Sequence, residues 1–442
     1  MSLSSFENVT AALADIRLER PMGVILAFEG PVVRIGGLSG STAVGHRVRL
    51  GHSGRRVAGE ILGGDSDSLV VMPDGPVTGL CPGDPVVSIG VREIAPDSGW
   101  LGRVIDPDGR PIDGRQLLPG HTQRPLTCNA PDPVNRRGFG KRLETGLRAL
   151  NTVLPIVRGQ RVGLFAGSGV GKSTLLGALT RRMEADVIVI AMVGERGREV
   201  RDFIERILGP EGLARSVIVA ATSDAPASVR ARCLPAAITV AEHFRDEGRQ
   251  VLLLGDSITR HAEAHRQVAA ARGEAMALGG YPASMAAEIA SLVERTGPGE
   301  DEKGDITAVL TVLVAGSDME SPVADVLRGL LDGHIVLDRT IAERGRFPAI
   351  DLSRSVSRSL PDAASDQENA LIGEARRLIG AYERSEMMIQ AGLYAAGNDR
   401  TLDAAVQAWP KLDAFLGQSE AGTSHESFVA LARCLSRRQE GS

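Results

Sequence analysis

Residues 166–174 read Ala-Gly-Ser-Gly-Val-Gly-Lys-Ser-Thr, between the apolar run RVGLFAG and the helix-like STLLGALTRRM. Glycines at 167, 169 and 171 let the backbone N–H groups of this turn, those of Ser168 and Val170 included, face inward on a polyphosphate. Lys172 adds a mobile positive charge. Ser173, with Thr174 beside it, sets a hydroxyl at a helix N-terminus, where Mg²⁺ and phosphate are favoured. The pattern GxxxxGK(S/T) ordinarily begins with Gly and here begins with Ala166, a residue small enough to keep the turn. A plain Gly-rich turn before an ordinary helix is the competing reading. The strand before, the helix after and the intact GKST favour a nucleoside-triphosphate loop.

The flanking chain places that loop in an α/β sheet. RVGLFAG, DVIVIAMVG, SVIVAAT, QVLLLGD and ITAVLTVLVAG are buried-strand runs, and they alternate with helical patterns at STLLGALTRRM, REVRDFIERIL and residues 227–246. Such alternation predicts a mostly parallel sheet covered on both faces, with ligands at the carboxyl ends of its strands. Upstream, residues 22–92 hold short β-rich runs such as GVILAFEG, RVRLG and SLVVMP, punctuated by Gly and Pro. They predict a small β-barrel. Residues 94–142 are rich in Pro and Gly, with DPDGRPIDG the clearest turn cluster, and read as an ordered connector. From residue 359 onward the strands stop, and LIGEARRLIGAYERSEMMIQAGLY and LDAAVQAWPKLDAFL predict a helical C-terminal domain. The expected division is an N-terminal segment 1–20, a barrel 21–93, an ATPase domain 94–358 and a helical domain 359–442.

Composition narrows the class. The 442 residues are 43% hydrophobic and 24% charged, the balance of a globular chain and not of a disordered one. A net charge of −5 and a barrel in which Phe28 is the sole aromatic argue against nucleic acid as a partner. Cys81, Cys128, Cys233 and Cys434 are too scattered for a zinc site or a disulfide framework. The first residues have no signal-peptide character, and no apolar run approaches the roughly 20 residues that span a bilayer. A cytoplasmic location follows as an expectation, with membrane attachment through partners. Phe6, Val9, Leu13 and Ile16 fall on one face of a short N-terminal helix, which either packs on its own domain or docks a partner.

Two further stretches carry chemistry. LLLGD ends a buried strand at Asp256, either a carboxylate acting on Mg²⁺ through water or a cap for the helix that follows. DVIVIAMVG leads into Glu195-Arg196-Gly197-Arg198-Glu199 at the same sheet edge. There the residues alone leave Glu195, Glu199 or a surface salt bridge equally open as the reading.

Taken in order, AGSGVGKST, GERGREV, LLLGDSITR, GGYPASM, DGHIVLDR and FPAIDLSRSVSR resemble the hexameric ATPases related to the catalytic subunits of rotary ATP synthases. More narrowly they resemble the type III protein export ATPases, the flagellar export ATPases most of all. The resemblance runs from about residue 20 to the C-terminal helices. It implies a RecA-like P-loop core with an N-terminal barrel collar and a helical C-terminal domain, using ATP and Mg²⁺. It implies Glu195 as the catalytic glutamate, Arg196 near the γ-phosphate, Phe347 against adenine and Arg358 as a finger reaching a neighbouring subunit, with Arg354 as its rival. It further implies a ring of six copies, with a stator-like regulator at the N-terminal segment and export substrates, chaperones and a membrane gate at the helical end. Ala166 and Gly255 are the departures, and neither removes a charge or a ligand. A virulence-type secretion ATPase, a RecA-like RNA or DNA motor and a nonhydrolysing assembly subunit are the alternatives.

Overall fold

The computed structural model describes residues 19–277, 279–314, 319–418 and 422–436. The expected N-terminal helix, with Phe6, Val9, Leu13 and Ile16, lies outside the described residues.

Six strands, β1 (Met22–Glu29), β2 (Val32–Gly36), β3 (Arg47–Leu50), β4 (Val57–Gly64), β5 (Ser68–Pro73) and β6 (Pro85–Gly90), close a barrel in the order β1-β2-β5-β4-β3-β6. Period-2 alternation turns Ile25, Ile35, Val48, Leu50, Ile61, Val71 and Val86 into its interior. Closure leaves no strand edge unpaired.

The connector carries more structure than its turn-rich composition predicts. β7 (Glu93–Ile94) pairs with β9 (Arg124–Pro125), and β8 (Arg103–Ile105) joins the edge of the main sheet beside β12 (Ser216–Thr222). β8 is three residues long, so its strand character comes from pairing and not from local pattern.

That sheet has eight strands in the order β16-β15-β10-β14-β13-β11-β12-β8. β10 (Arg161–Ala166), β11 (Val187–Glu195), β13 (Val251–Asp256) and β14 (Ile306–Leu313) form its buried, parallel centre. β15 (Gly333–Leu337) is parallel to β10, and β16 (Ile350–Ser357) runs back antiparallel at the edge. The helix expected over residues 227–246 forms as Ala227–Asp246. REVRDFIERIL is broken into helical turns at Gly197–Asp202 and a wider π-type turn at Phe203–Leu208. After the sheet come helices Asp366–Gln390, Arg400–Leu416 and Ser424–Leu435. Capping boxes at Ser365/Glu368 and Thr423/Glu426 start the first and third, and the third is one that periodicity did not single out. Among the described residues no helix is long and apolar enough to cross a membrane.

Charge pins the barrel to the core. Asp74, after β5, accepts from Arg232 at 2.8 and 2.9 Å and from Ser228 at 2.8 Å, both on helix Ala227–Asp246, and from Arg47 of β3. Burial opposes the Asp74 charge, but Arg232 and Arg47 outweigh it and hold the carboxyl well below the usual range. Removing one partner of a buried cluster strands the others. Asp74→Ala is therefore expected to cost about 3 kcal/mol, read as a lower urea midpoint, whereas a surface Asp→Ala leaves the midpoint in place.

Candidate active site

Strand order gathers the candidate residues. β10, β13 and β11 are parallel and close together, so the loop after Ala166, Asp256 and Glu195 emerge at one carboxyl edge of the sheet. They line one cavity of about 840 Å³, which also takes in Arg196 and Glu199.

The loop has the backbone that its glycines require. Gly169 has φ +79° and Gly171 φ +89°, left-handed values that side-chain-bearing residues rarely adopt. Gly171 precedes helix Lys172–Arg182, whose exposed first-turn residues Ser173 and Thr174 open on the cavity together with Gly167 and Ser168. Val170 differs from its neighbours: its side chain is buried in the hydrophobic core, so it offers the cavity backbone alone. Ala166 is the last residue of β10, where its carbonyl accepts from Val314 and a methyl group fits.

Lys172 Nζ lies 2.5 Å from Asp256 Oδ1 and 3.8 Å from Glu195 Oε1. Thr311 Oγ1, from the intervening β14, donates to the same Asp256 oxygen at 2.7 Å. The cap of helix Ile258–Ala271 is Ser257, whose side chain accepts from the Arg260 N–H. Asp256 is thereby free of the capping role and faces the loop. Gly255 fits closely, since a Cβ there would fall 2.8 Å from Leu310 Cδ2.

Glu195 follows Gly194, where a bulge in the β11–β12 register and φ +65° turn the strand end toward the cavity. Arg260 Nε is 3.5 Å from Glu195 Oε1, and its guanidinium donates to the Gly194 carbonyl. Glu195 is 6% exposed. Burial, a hydrogen bond with Glu199 and the nearby Asp256 push its carboxyl up to about 7, against the pull of Lys172 and Arg260. The same hydrogen bond holds Glu199 below its ordinary range. Two carboxyls thus divide into a protonatable one and an ionised one. Arg196 is exposed and sits 3.5 Å from Glu199.

Phe347 and Arg358 stand apart from the cavity wall in different ways. Phe347 is half-exposed and packs over the loop, its Cδ1 3.2 Å from where a Cβ on Gly171 would lie. Arg358 is at the opposite end of the sheet. Gly333 pairs with Ser357 while Leu337 pairs with Ala166, which puts Arg358 about 16 Å down the strands from the loop. It is exposed and donates to the Arg328 carbonyl at 3.2 Å. Arg354 is committed elsewhere, to Asp338 at 2.5 Å and Asp351 at 2.6 Å.

Sequence reasoning passed over Arg260 and Thr311. Arg260 had a signal, one helical turn beyond Asp256 in LLLGDSITR. Thr311 had none, because only strand pairing brings it to Asp256.

A barrel, a P-loop sheet and this cavity define an ATP hydrolase of the rotary-synthase type. The nucleotide-binding domain of the ATP synthase alpha/beta family matches residues 146–357, and the type III secretion EscN ATPase C-terminal domain matches residues 364–432. The chain is 41% identical over 418 residues to the flagellum-specific ATP synthase of Bacillus subtilis (strain 168), covering 94% of each. It is 44% identical over 362 residues to the SPI-2 type 3 secretion system ATPase of Salmonella typhimurium, covering 82% of this chain and 83% of that one. The assembled ATPase EscN from enteropathogenic E. coli superposes with a TM-score of 0.87 at 35% identity, over 94% of this chain and 100% of that chain. The chain belongs to the flagellar and type III export ATPases.

Proposed function

We propose that the chain hydrolyses ATP in a ring of identical subunits, each site completed by a residue of the next copy, and energises delivery of proteins for flagellar export. The observation that carries the reading is the buried Glu195, with its raised carboxyl, in the same cavity as Lys172 and Asp256. Ser173 and Asp256 supply hard oxygen donors that suit Mg²⁺, which when bound neutralises phosphate charge. The loop N–H groups and Lys172 hold the phosphates, and Arg196 lies beside the γ-phosphate. Glu195 takes the proton of the attacking water. Phe347 stacks on adenine. Arg358, too far from its own loop, serves the site of the next copy.

The EscN relatives were solved as an assembled ATPase and in complex with the central stalk EscO. Those assemblies support a ring and a regulatory partner for this chain. A stator-like regulator at residues 1–20, with export substrates, chaperones and a membrane gate at the helical end, completes the reading, on the cytoplasmic face of the inner membrane. The identity to the SPI-2 ATPase favours virulence-type secretion as the second reading. Loss of flagellin export in a deletion strain decides for the first, and unaffected export overturns it. Specific ATPase activity is expected to rise with protein concentration as rings assemble. Activity per chain that is constant down to the lowest concentrations overturns the shared site, and RNA-stimulated hydrolysis would favour a nucleic-acid motor.

A further inference from the structure

The residues on either side of the Arg346–Phe347 peptide face different parts of the molecule. Phe347 packs over Gly171 of the phosphate loop, while Arg346 runs into a second cavity, of about 370 Å³, between the ATPase core and the C-terminal helices. Arg346 is 9% exposed. Its Nη1 lies 3.3 Å from Asp413 Oδ1 on helix Arg400–Leu416, and its Nη2 donates to the Ile350 carbonyl at 2.7 Å. Its stem packs at the end of that helix, where a Cβ on Gly417 would lie 3.4 Å from Arg346 Cγ. Two residues earlier, Arg344 Nη1 pairs with Glu386 Oε1 of helix Asp366–Gln390 at 2.5 Å. The two helices are joined by Tyr382 and Trp409, stacked 4.1 Å apart and 7° from parallel. Both arginines therefore grip one unit.

A guanidinium this buried is costly unless its partners hold it, and once held it has one available position. The backbone that carries Arg346 also carries Phe347, so fixing the first restricts the second. We propose that Arg346 is a positioning residue for the nucleotide base: anchored to Asp413, it holds the Phe347 ring over the phosphate loop from behind. The C-terminal helices thereby contribute to ATP affinity without touching ATP. The inference rests on the reading of Phe347 as the ring that stacks on adenine.

Steady-state kinetics on the full-length chain separate the two. Phe347→Ala is expected to raise KM for ATP about tenfold, the scale of one lost base–aromatic stack. Arg346→Ala is expected to raise KM about three- to tenfold with kcat within about twofold, since a positioning defect in binding acts on KM. Arg346→Lys recovers most of the loss. The Phe347→Ala/Arg346→Ala double variant has the KM of Phe347→Ala alone, because residues acting through one another are not additive. Asp413→Asn raises KM in the same direction and keeps the test available where Arg346→Ala fails to fold. An unchanged KM in both Arg346→Ala and Asp413→Asn, or effects that multiply in the double variant, overturns the proposal. An unchanged KM in Phe347→Ala overturns the base-stacking reading and the proposal with it.

Discussion

Arg358→Ala is expected to lower kcat by about 10³–10⁵-fold, the range for loss of an arginine finger, with ATP binding retained. The expectation comes from position. Arg358 is exposed at the far end of the sheet from its own phosphate loop, and its side chain donates one hydrogen bond, to the Arg328 carbonyl. Among the described residues no carboxylate pairs with it, and the β15–β16 pairing holds it at the opposite end of the strands from Lys172. Arg354, held by Asp338 and Asp351, keeps those contacts, so Arg354→Ala costs stability before rate. Mixing Arg358→Ala chains with Glu195→Gln chains is expected to restore part of the activity, because one lends its intact Arg358 to the other's intact Glu195. Activity of Arg358→Ala within tenfold of wild type overturns the role.

Glu195→Gln is expected to reduce hydrolysis by about 10²–10⁴-fold, the contribution of a positioned general base. Only the ionised carboxyl can take a proton, and the free-enzyme group titrates at about 7. In wild type, kcat/KM therefore rises with pH through about 7 and levels above it, a limb absent from the Gln variant. Stability moves the other way. The folded-state carboxyl is raised above its unfolded value, so the folded chain holds the proton more tightly and loses stability as pH rises from the ordinary carboxylate range to about 7. Glu195→Gln removes that ionisation and is expected to be the more stable protein at pH 8, with the difference narrowing in acid. Measured melting temperatures at pH 5 and pH 8 check the sign. Unchanged hydrolysis in the Gln variant would pass the base role to Glu199.

The local elements were written plainly in the chain. SVIVAAT is β12 to the residue, and helix Ala227–Asp246 begins and ends where its pattern does. Hydrophobic period and turn residues act over a few positions, so they can be read one segment at a time. β8 and β16 were harder, because strands of three and eight residues at the two sheet edges owe their form to a neighbour. The loop and its glycines were likewise legible, since φ above zero is a demand made on single residues.

What the chain order could not convey is company. From the residues alone Glu195 and Glu199 were indistinguishable as a pair of acids, until burial raised one and the hydrogen bond between them lowered the other. Asp256 could have been a cap until Ser257 was found in that place and Lys172 opposite the carboxylate. Thr311 on Asp256, Arg346 on Asp413 and the separation of Arg358 from its own loop all depend on segments 55 or more residues apart in two cases and on strand direction in the third. Backbone preference and hydrophobic period are properties of neighbours along the chain. Charge pairing, desolvation and reach are properties of neighbours in space, and they exist only once the sheet has brought its strand ends together.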